Sequence, residues 1–226
     1  MSDKSLIVIN PNSSESVTDG IDKAVTPLRQ YGIPIRCLTL KEGPTGIESQ
    51  LQADLTIAPM LRLAAQQSDA AGYVIACFGD PGLHALRDQT ALPVLGIQES
   101  AVMTALTLGQ RFGVIAILPQ SIPRHLRSFG AMGVLDRLAG DRALGLGVAD
   151  LSDPQQSRDT MIQTGLSLRD RDGADVLIMG CAGMAHYRTE LELETGLPVV
   201  EPTQAAVAMA LGHIVLNLRH KGSDHA

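Results

Sequence analysis

Short, fully apolar runs recur along the chain, each closed by turn-forming residues. Leu6-Ile-Val-Ile9 is the first, and Asn10-Pro-Asn-Ser-Ser14 closes it. Runs of this kind predict strands buried on both faces. Between them the spacing shifts to that of helices. Residues 15–31 read as a helix kinked at Pro27, with Gly32 ending it in the left-handed conformation. Residues 33–40 read as a strand, 41–49 as a loop, 51–67 as a helix, and the run ending at Cys77 as a third strand. The order then restarts. Residues 112–118 are a strand, Pro119-Gln-Ser121 its turn, and 123–132 a helix. Residues 143–148 read as a strand despite their glycines, Asp153 caps and Pro154 opens a long helix, and an apolar run ends at Cys181. Residues 203–218 form a last helix that packs back on the first half, and 219–226 a frayed tail.

Strands alternating with helices predict an α/β protein with mainly parallel sheets flanked by helices. The repeated order predicts two pseudo-symmetric, Rossmann-like lobes, residues 1–96 with 203–226 and residues 97–202, with the active site in the cleft between them. Ligands of such sheets bind at the carboxyl ends of the strands. Residues 10–14, 118–121, Cys77 and Cys181 all fall there.

The repeat is visible residue by residue. Gly72-Tyr-Val-Ile-Ala-Cys77-Phe-Gly79 precedes Leu92-Pro93-Val94, and Ala174-Asp-Val-Leu-Ile-Met-Gly-Cys181-Ala-Gly183 precedes Leu197-Pro198-Val199. Two related halves that face each other would present one thiol from each side. Opposed acid/base groups suit removal of a proton from one face of a carbon and its return on the other.

A thiol at the start of a helix is exposed to amide N–H groups and the helix dipole, which predicts a depressed pKa. Asp80-Pro81 reads as the cap and first residue of a helix from about residue 81, so Cys77 shows this best. Gly79 and Gly183 leave room for a ligand to approach the backbone. Cys37 has the context of a small buried hydrophobe. His84 and His186 read as exposed or capping residues, with tuning of the thiols open. Glu201 either orients a ligand or sits in a loop. Three other uses of the cysteines stay open: zinc held by Cys77, His84, Cys181 and His186, whose spacing matches no common structural zinc pattern; a redox disulfide; and a single nucleophilic cysteine.

Composition narrows the field. The net charge of -6 has no basic stripe, and aromatics are 3%, which argues against nucleic acid. No apolar run is long enough for a membrane span, and the start lacks the pattern of a signal peptide, so a cytoplasmic location is expected. Three cysteines make no disulfide framework. No glycine-rich stretch forms a nucleotide loop.

Ile9-Asn-Pro-Asn-Ser-Ser14, Ala76-Cys-Phe-Gly-Asp-Pro-Gly82, Gly180-Cys-Ala-Gly-Met184 and Leu197-Pro-Val-Val200, in that order, resemble the hydantoin and allantoin racemases of the aspartate/glutamate racemase superfamily. The resemblance runs from about residue 5 to residue 216. It implies a cofactor- and metal-independent racemase of 5-substituted hydantoins or allantoin, working as a homo-oligomer on a small molecule. It places the two proton-transferring thiols on Cys77 and Cys181. Substrate-binding roles fall on Asn10, Pro11, Asn12, Ser13, Phe78, Gly79, Leu118, Ala182 and Gly183. The arylmalonate decarboxylases are similar but keep only the second cysteine, so Cys77 argues against them. Amino-acid racemases and maleate-type isomerases of the superfamily remain alternatives, as does a non-catalytic two-lobed binding module. Glu201-Pro202 departs from the Asp-Gly-like pair common in the family.

Overall fold

The computed structural model describes residues 4–147 and 154–221, without the side chains of 154–156. Asp153 and residues 222–226 lie outside the described residues, so the expected cap and most of the expected tail do too.

The first sheet contains β1 (Ser5–Asn10), β2 (Ile35–Thr39), β3 (Ala70–Ile75) and β4 (Val94–Gly96) in the order β2-β1-β3-β4. The second contains β5 (Phe112–Ala116), β6 (Leu138–Ala143), β7 (Val176–Met179) and β8 (Val199–Val200) in the order β6-β5-β7-β8. Every pairing is parallel, so the two halves share one topology. The register sets Ile9 beside Ile75, and Ile115 beside Met179. The chain therefore leaves β1 next to where it leaves β3 for Cys77, and leaves β5 next to where it leaves β7 for Cys181.

The helices are α1 (Glu15–Ala24), α2 (Gln50–Leu55), α3 (Ile57–Ala65), α4 (Leu83–Gln89), α5 (Ile97–Leu108), α6 (Ile122–Met132), α7 (Pro154–Asp170), α8 (Arg188–Thr195) and α9 (Pro202–Val215). Ser14 caps α1, its side chain accepting from the Val17 amide at 3.4 Å. After α1 the chain tightens into a 3-10 turn, Thr26–Tyr31, with Pro27 second in it and Gly32 (φ 80°) capping its end. The helix expected over 51–67 breaks at Thr56 into α2 and α3. Pro59 has no N–H for the carbonyl of Leu55, and its ring would strike that carbonyl in a continuous helix.

Strand β6 corrects the expectation of a strand over 143–148: it lies five residues earlier and stops at Ala143. It is an edge strand of half-buried residues, Leu138-Ala-Gly-Asp-Arg-Ala143, and has no apolar run to announce it.

All six residues of β1 and all four of β7 are buried, as parallel strands covered on both faces should be. One core joins the halves: Leu6, Val8 and Val74 from the first sheet, Val114, Val176 and Ile178 from the second, with Ala101, Ala105, Ala206 and Ala210 of α5 and α9 between them. The small side chains let those two helices lie close. Helix α9 follows β8 in the chain yet packs on β3 and β4, while α5 follows β4 and packs on β5 and β7. The sheets cannot part without opening this shared core. Separate clusters cover the outer faces of the two sheets. No helix among the described residues is long and apolar enough to cross a membrane.

Candidate active site

Beyond β3 the chain turns sharply through Cys77-Phe-Gly-Asp-Pro-Gly82. The Asp80 amide bonds the Cys77 carbonyl at 3.0 Å, and Gly79 (φ 127°), Asp80 (φ 47°) and Gly82 (φ 72°) all lie at positive φ. Position 79 admits only glycine comfortably. Asp80 is held there by its carboxylate, whose Oδ1 and Oδ2 each accept, at 2.9 Å, from the amides of Gln98 and Glu99. This corrects the sequence reading. Asp80 does not cap its own helix, because α4 begins only at Leu83; it caps α5, which follows the neighbouring strand. Glu201 does the same for α9: its Oε1 accepts from Thr203 at 3.1 Å and its Oε2 from Gln204 at 2.6 Å. Each half thus buries one carboxylate at the N-terminus of the helix after its fourth strand. Burial pushes both carboxyl groups up, each to about 7, against the pull of the amides.

The thiols also differ from expectation. Cys181 precedes a 3-10 turn, and its Sγ accepts from the Gly183 amide at 3.4 Å. Among the described residues Cys77 has no such bond, and the next helix starts only at Leu83. Burial pushes the Cys77 thiol up to about 12, with Cys181 and Asp80 adding to the rise and Arg124 opposing it. Burial likewise pushes Cys181 up to about 11, against the Gly183 amide. The expected depression is overturned: each thiol is buried by residues of both halves, and desolvation of the anion outweighs nearby amides.

Both sulfurs belong to one chamber of about 30 Å³. Its wall includes Asn12, Phe78 and Ala182 from the expected set, Ser121 from the turn expected at the end of its strand, and Ile47, Arg124 and His125, which were not expected. Asn10 stands behind that wall. Its Nδ2 donates to Asn12 Oδ1 at 2.9 Å and Thr18 Oγ1 at 3.0 Å, and its Oδ1 accepts from the Asn12 amide at 3.2 Å, so it shapes the loop. Gly79 lines an adjoining larger chamber. Pro11, Ser13, Leu118 and Gly183 line neither, although Gly183 touches the Cys181 sulfur. Of the residues weighed for zinc, Cys77 and Cys181 share the chamber, His84 lines the larger one, and the His186 ring meets that of Tyr187 at a tilt, 3.8 Å between centroids. Among the described residues no three His, Cys, Asp or Glu gather as a metal requires. Cys37 is half-buried against the core, its thiol raised to about 12 chiefly by burial.

His125 and Arg124 lie in the first turn of α6, the counterpart of α1. His125 Nδ1 lies 2.8 Å from Asp141 Oδ2 on β6, both side chains 2% exposed, and Phe78 meets the ring edge-on at 5.0 Å. The ring therefore braces the residue next to Cys77. The repeat already aligned Pro119–Ser121 with residues 11–13; carrying the alignment one turn further would have reached both residues.

Set beside known proteins, residues 6–210 match the family model described as Asp/Glu/Hydantoin racemase. A hydantoin racemase of Pseudomonas sp. (strain NS671) is 35% identical over 206 residues, covering 90% of this chain and 83% of the relative. An allantoin racemase structure from Pseudomonas fluorescens superposes with a TM-score of 0.90 at 28% identity, covering 96% of this chain and 93% of that one. The allantoin racemase from Klebsiella pneumoniae gives 0.89 at 28% identity, covering 96% and 90%.

Proposed function

Because the chain belongs to the Asp/Glu/hydantoin racemase family of isomerases, we propose that it racemises 5-substituted hydantoins or allantoin by moving a proton between two thiols, with no cofactor. The observation that carries this reading is one chamber walled by Cys77 from the first half and Cys181 from the second, each at the carboxyl end of the third strand of its sheet.

The stereogenic carbon of such a ring lies beside a carbonyl, so its carbanion is delocalised onto oxygen. One cysteine, as thiolate, takes the C5 proton; the other, as thiol, returns one to the opposite face. The two sulfurs then have exchanged protonation states, ready for the reverse direction. The raised thiol pKa values make each thiolate scarce but a strong base, closer to a weakly acidic C–H. Arg124 favours the Cys77 thiolate and the Gly183 amide the Cys181 thiolate. Backbone amides beside the cysteines stabilise the developing enolate where water is scarce.

The test is proton NMR of each enantiomer of 5-benzylhydantoin and allantoin in D2O, with wild type, Cys77→Ala and Cys181→Ala, against enzyme-free controls. Enzyme-dependent loss of the C5 proton signal is expected from wild type, and a loss of activity of about 10³-fold or more from either variant. Full racemisation by either alanine variant would sink the two-thiol scheme.

A further inference from the structure

Past Phe78 the thiol chamber adjoins a larger one of about 420 Å³, and Cys77, Phe78 and Arg124 line both. A ring held between the sulfurs therefore has a neighbouring space for a substituent. The charge of that space is unusual. Arg124 and Arg127, one turn apart on α6, both line it. Arg124 donates to Ser121 Oγ at 3.2 Å; Arg127 donates to Gln50 Oε1 at 2.8 Å and the Pro123 carbonyl at 3.4 Å. Among the described residues neither has a carboxylate within ion-pair distance, whereas Arg29, Arg36, Arg87, Arg142 and Arg188 each do. The carboxylates on the chamber wall are already engaged: Asp80 with two amides, Glu99 with Arg87. Burial weakens the hold of Arg124 on its proton and Arg127 adds to that, while the opposite charges of Cys77 and Glu48, neither paired with it in contact, pull the other way.

Resting on the racemase reading, we propose that this second chamber receives the C5 substituent and that Arg124, seconded by Arg127, binds a carboxylate on it. The substrate class is then hydantoins with a short acidic side chain, of the kind that aspartate or glutamate would give. A guanidinium and a carboxylate pair through two parallel N–H···O bonds, and a planar acceptor supplies what this site lacks.

The experiment compares kcat/KM for enantiopure 5-(2-carboxyethyl)hydantoin and its neutral isostere, 5-(2-carbamoylethyl)hydantoin, in wild type, Arg124→Gln and Arg127→Gln. Wild type is expected to favour the acid by about 10- to 100-fold, the scale of one charge-assisted contact. Arg124→Gln lowers turnover of both through its effect on Cys77, but brings the acid-to-amide ratio to near one. Arg127→Gln lowers the ratio several-fold. A wild-type ratio near one, or a ratio untouched by Arg124→Gln, overturns the proposal and leaves Arg124 serving the Cys77 thiolate alone. If wild type racemises neither compound, nor 5-benzylhydantoin, nor allantoin, the racemase reading fails by itself. Calorimetric binding of acid against amide then decides the anion site: preference for the acid, lost in Arg124→Gln, supports it, and equal affinities overturn it.

Discussion

Raising the pH from 7 to 9 should accelerate the enzyme about 100-fold in each direction. The magnitude follows from the thiols. With Cys181 at about 11, its thiolate fraction is about 10⁻⁴ at pH 7 and about 10⁻² at pH 9. With Cys77 at about 12, the fractions are about ten-fold lower throughout. In the proposed scheme the base is a thiolate, so kcat/KM should rise about ten-fold per pH unit for whichever enantiomer each sulfur serves. The partner must stay protonated, and it does, because its own pKa is raised too. No falling limb therefore appears below about pH 11. The sign for stability runs the same way. A thiol whose folded pKa lies above its ordinary value of 9.0 favours the fold fully below 9, and that contribution is lost as pH rises towards 11 and 12. Rates are thus read between pH 6 and about 9, where this term leaves the fold unaffected. The assay is the initial rate of change in circular dichroism from each pure enantiomer. Enzyme-free blanks at every pH remove base-catalysed racemisation, and a separate titration of the substrate corrects for its own ionisation. A plateau in both directions from pH 7 upward would refute the reasoning, since it would mean that the thiolates are already formed there.

Asp80→Ala strips two buried amides of their acceptor and puts alanine at positive φ, so a loss of about 2–4 kcal/mol is expected, read by urea unfolding. The same change removes a negative neighbour of Cys77, so the alkaline limb of the direction that uses Cys77 as base should move to lower pH. Gly96→Ala would set a Cβ 2.1 Å from Asp80 Cγ and force the cap aside; a cost of about 2–3 kcal/mol and a lowered Tm are expected. His125→Leu leaves Asp141 buried without its partner, which should cost about 3–5 kcal/mol and lower the Tm by about 10 °C in calorimetry. Unchanged stability in any of these would contradict the packing described for that residue.

Much of the frame was legible because it is written in apolar runs. The repeat of Val-Ile-Ala-Cys and Leu-Ile-Met-Gly-Cys foretold two related, mainly parallel sheets; the structure adds that they share one strand order and that each cysteine follows the third strand of its sheet. What escaped was whatever depends on the opposite half of the molecule. Strand β6 is an edge strand built from glycine, aspartate and arginine, and its pairing with β5, rather than its composition, makes it a strand. Asp80 looked like the cap of the nearest helix, but a turn with three positive φ values carries its carboxylate to the helix that starts at Ile97, beyond the next strand. Thiol pKa values cannot be read from a linear motif: the helix-start argument named the amides, but burial by residues from both halves dominates. Arg124 and His125 were passed over because a helix one turn past a loop looks ordinary until its partner, residues 10–18, is seen across the same chamber.

The most direct test of the two-thiol exchange is the position of deuterium at the earliest times. Each enantiomer of the preferred hydantoin is racemised separately in D2O, and substrate and product are resolved on a chiral column and weighed by mass spectrometry. In the proposed scheme each sulfur can hold only one proton and the two act on opposite faces of the carbon, so deuterium should enter the newly formed enantiomer while the remaining substrate keeps its hydrogen. Deuterium appearing equally in unreacted substrate and product from the start would contradict the account, because one group would then be exchanging protons on both faces.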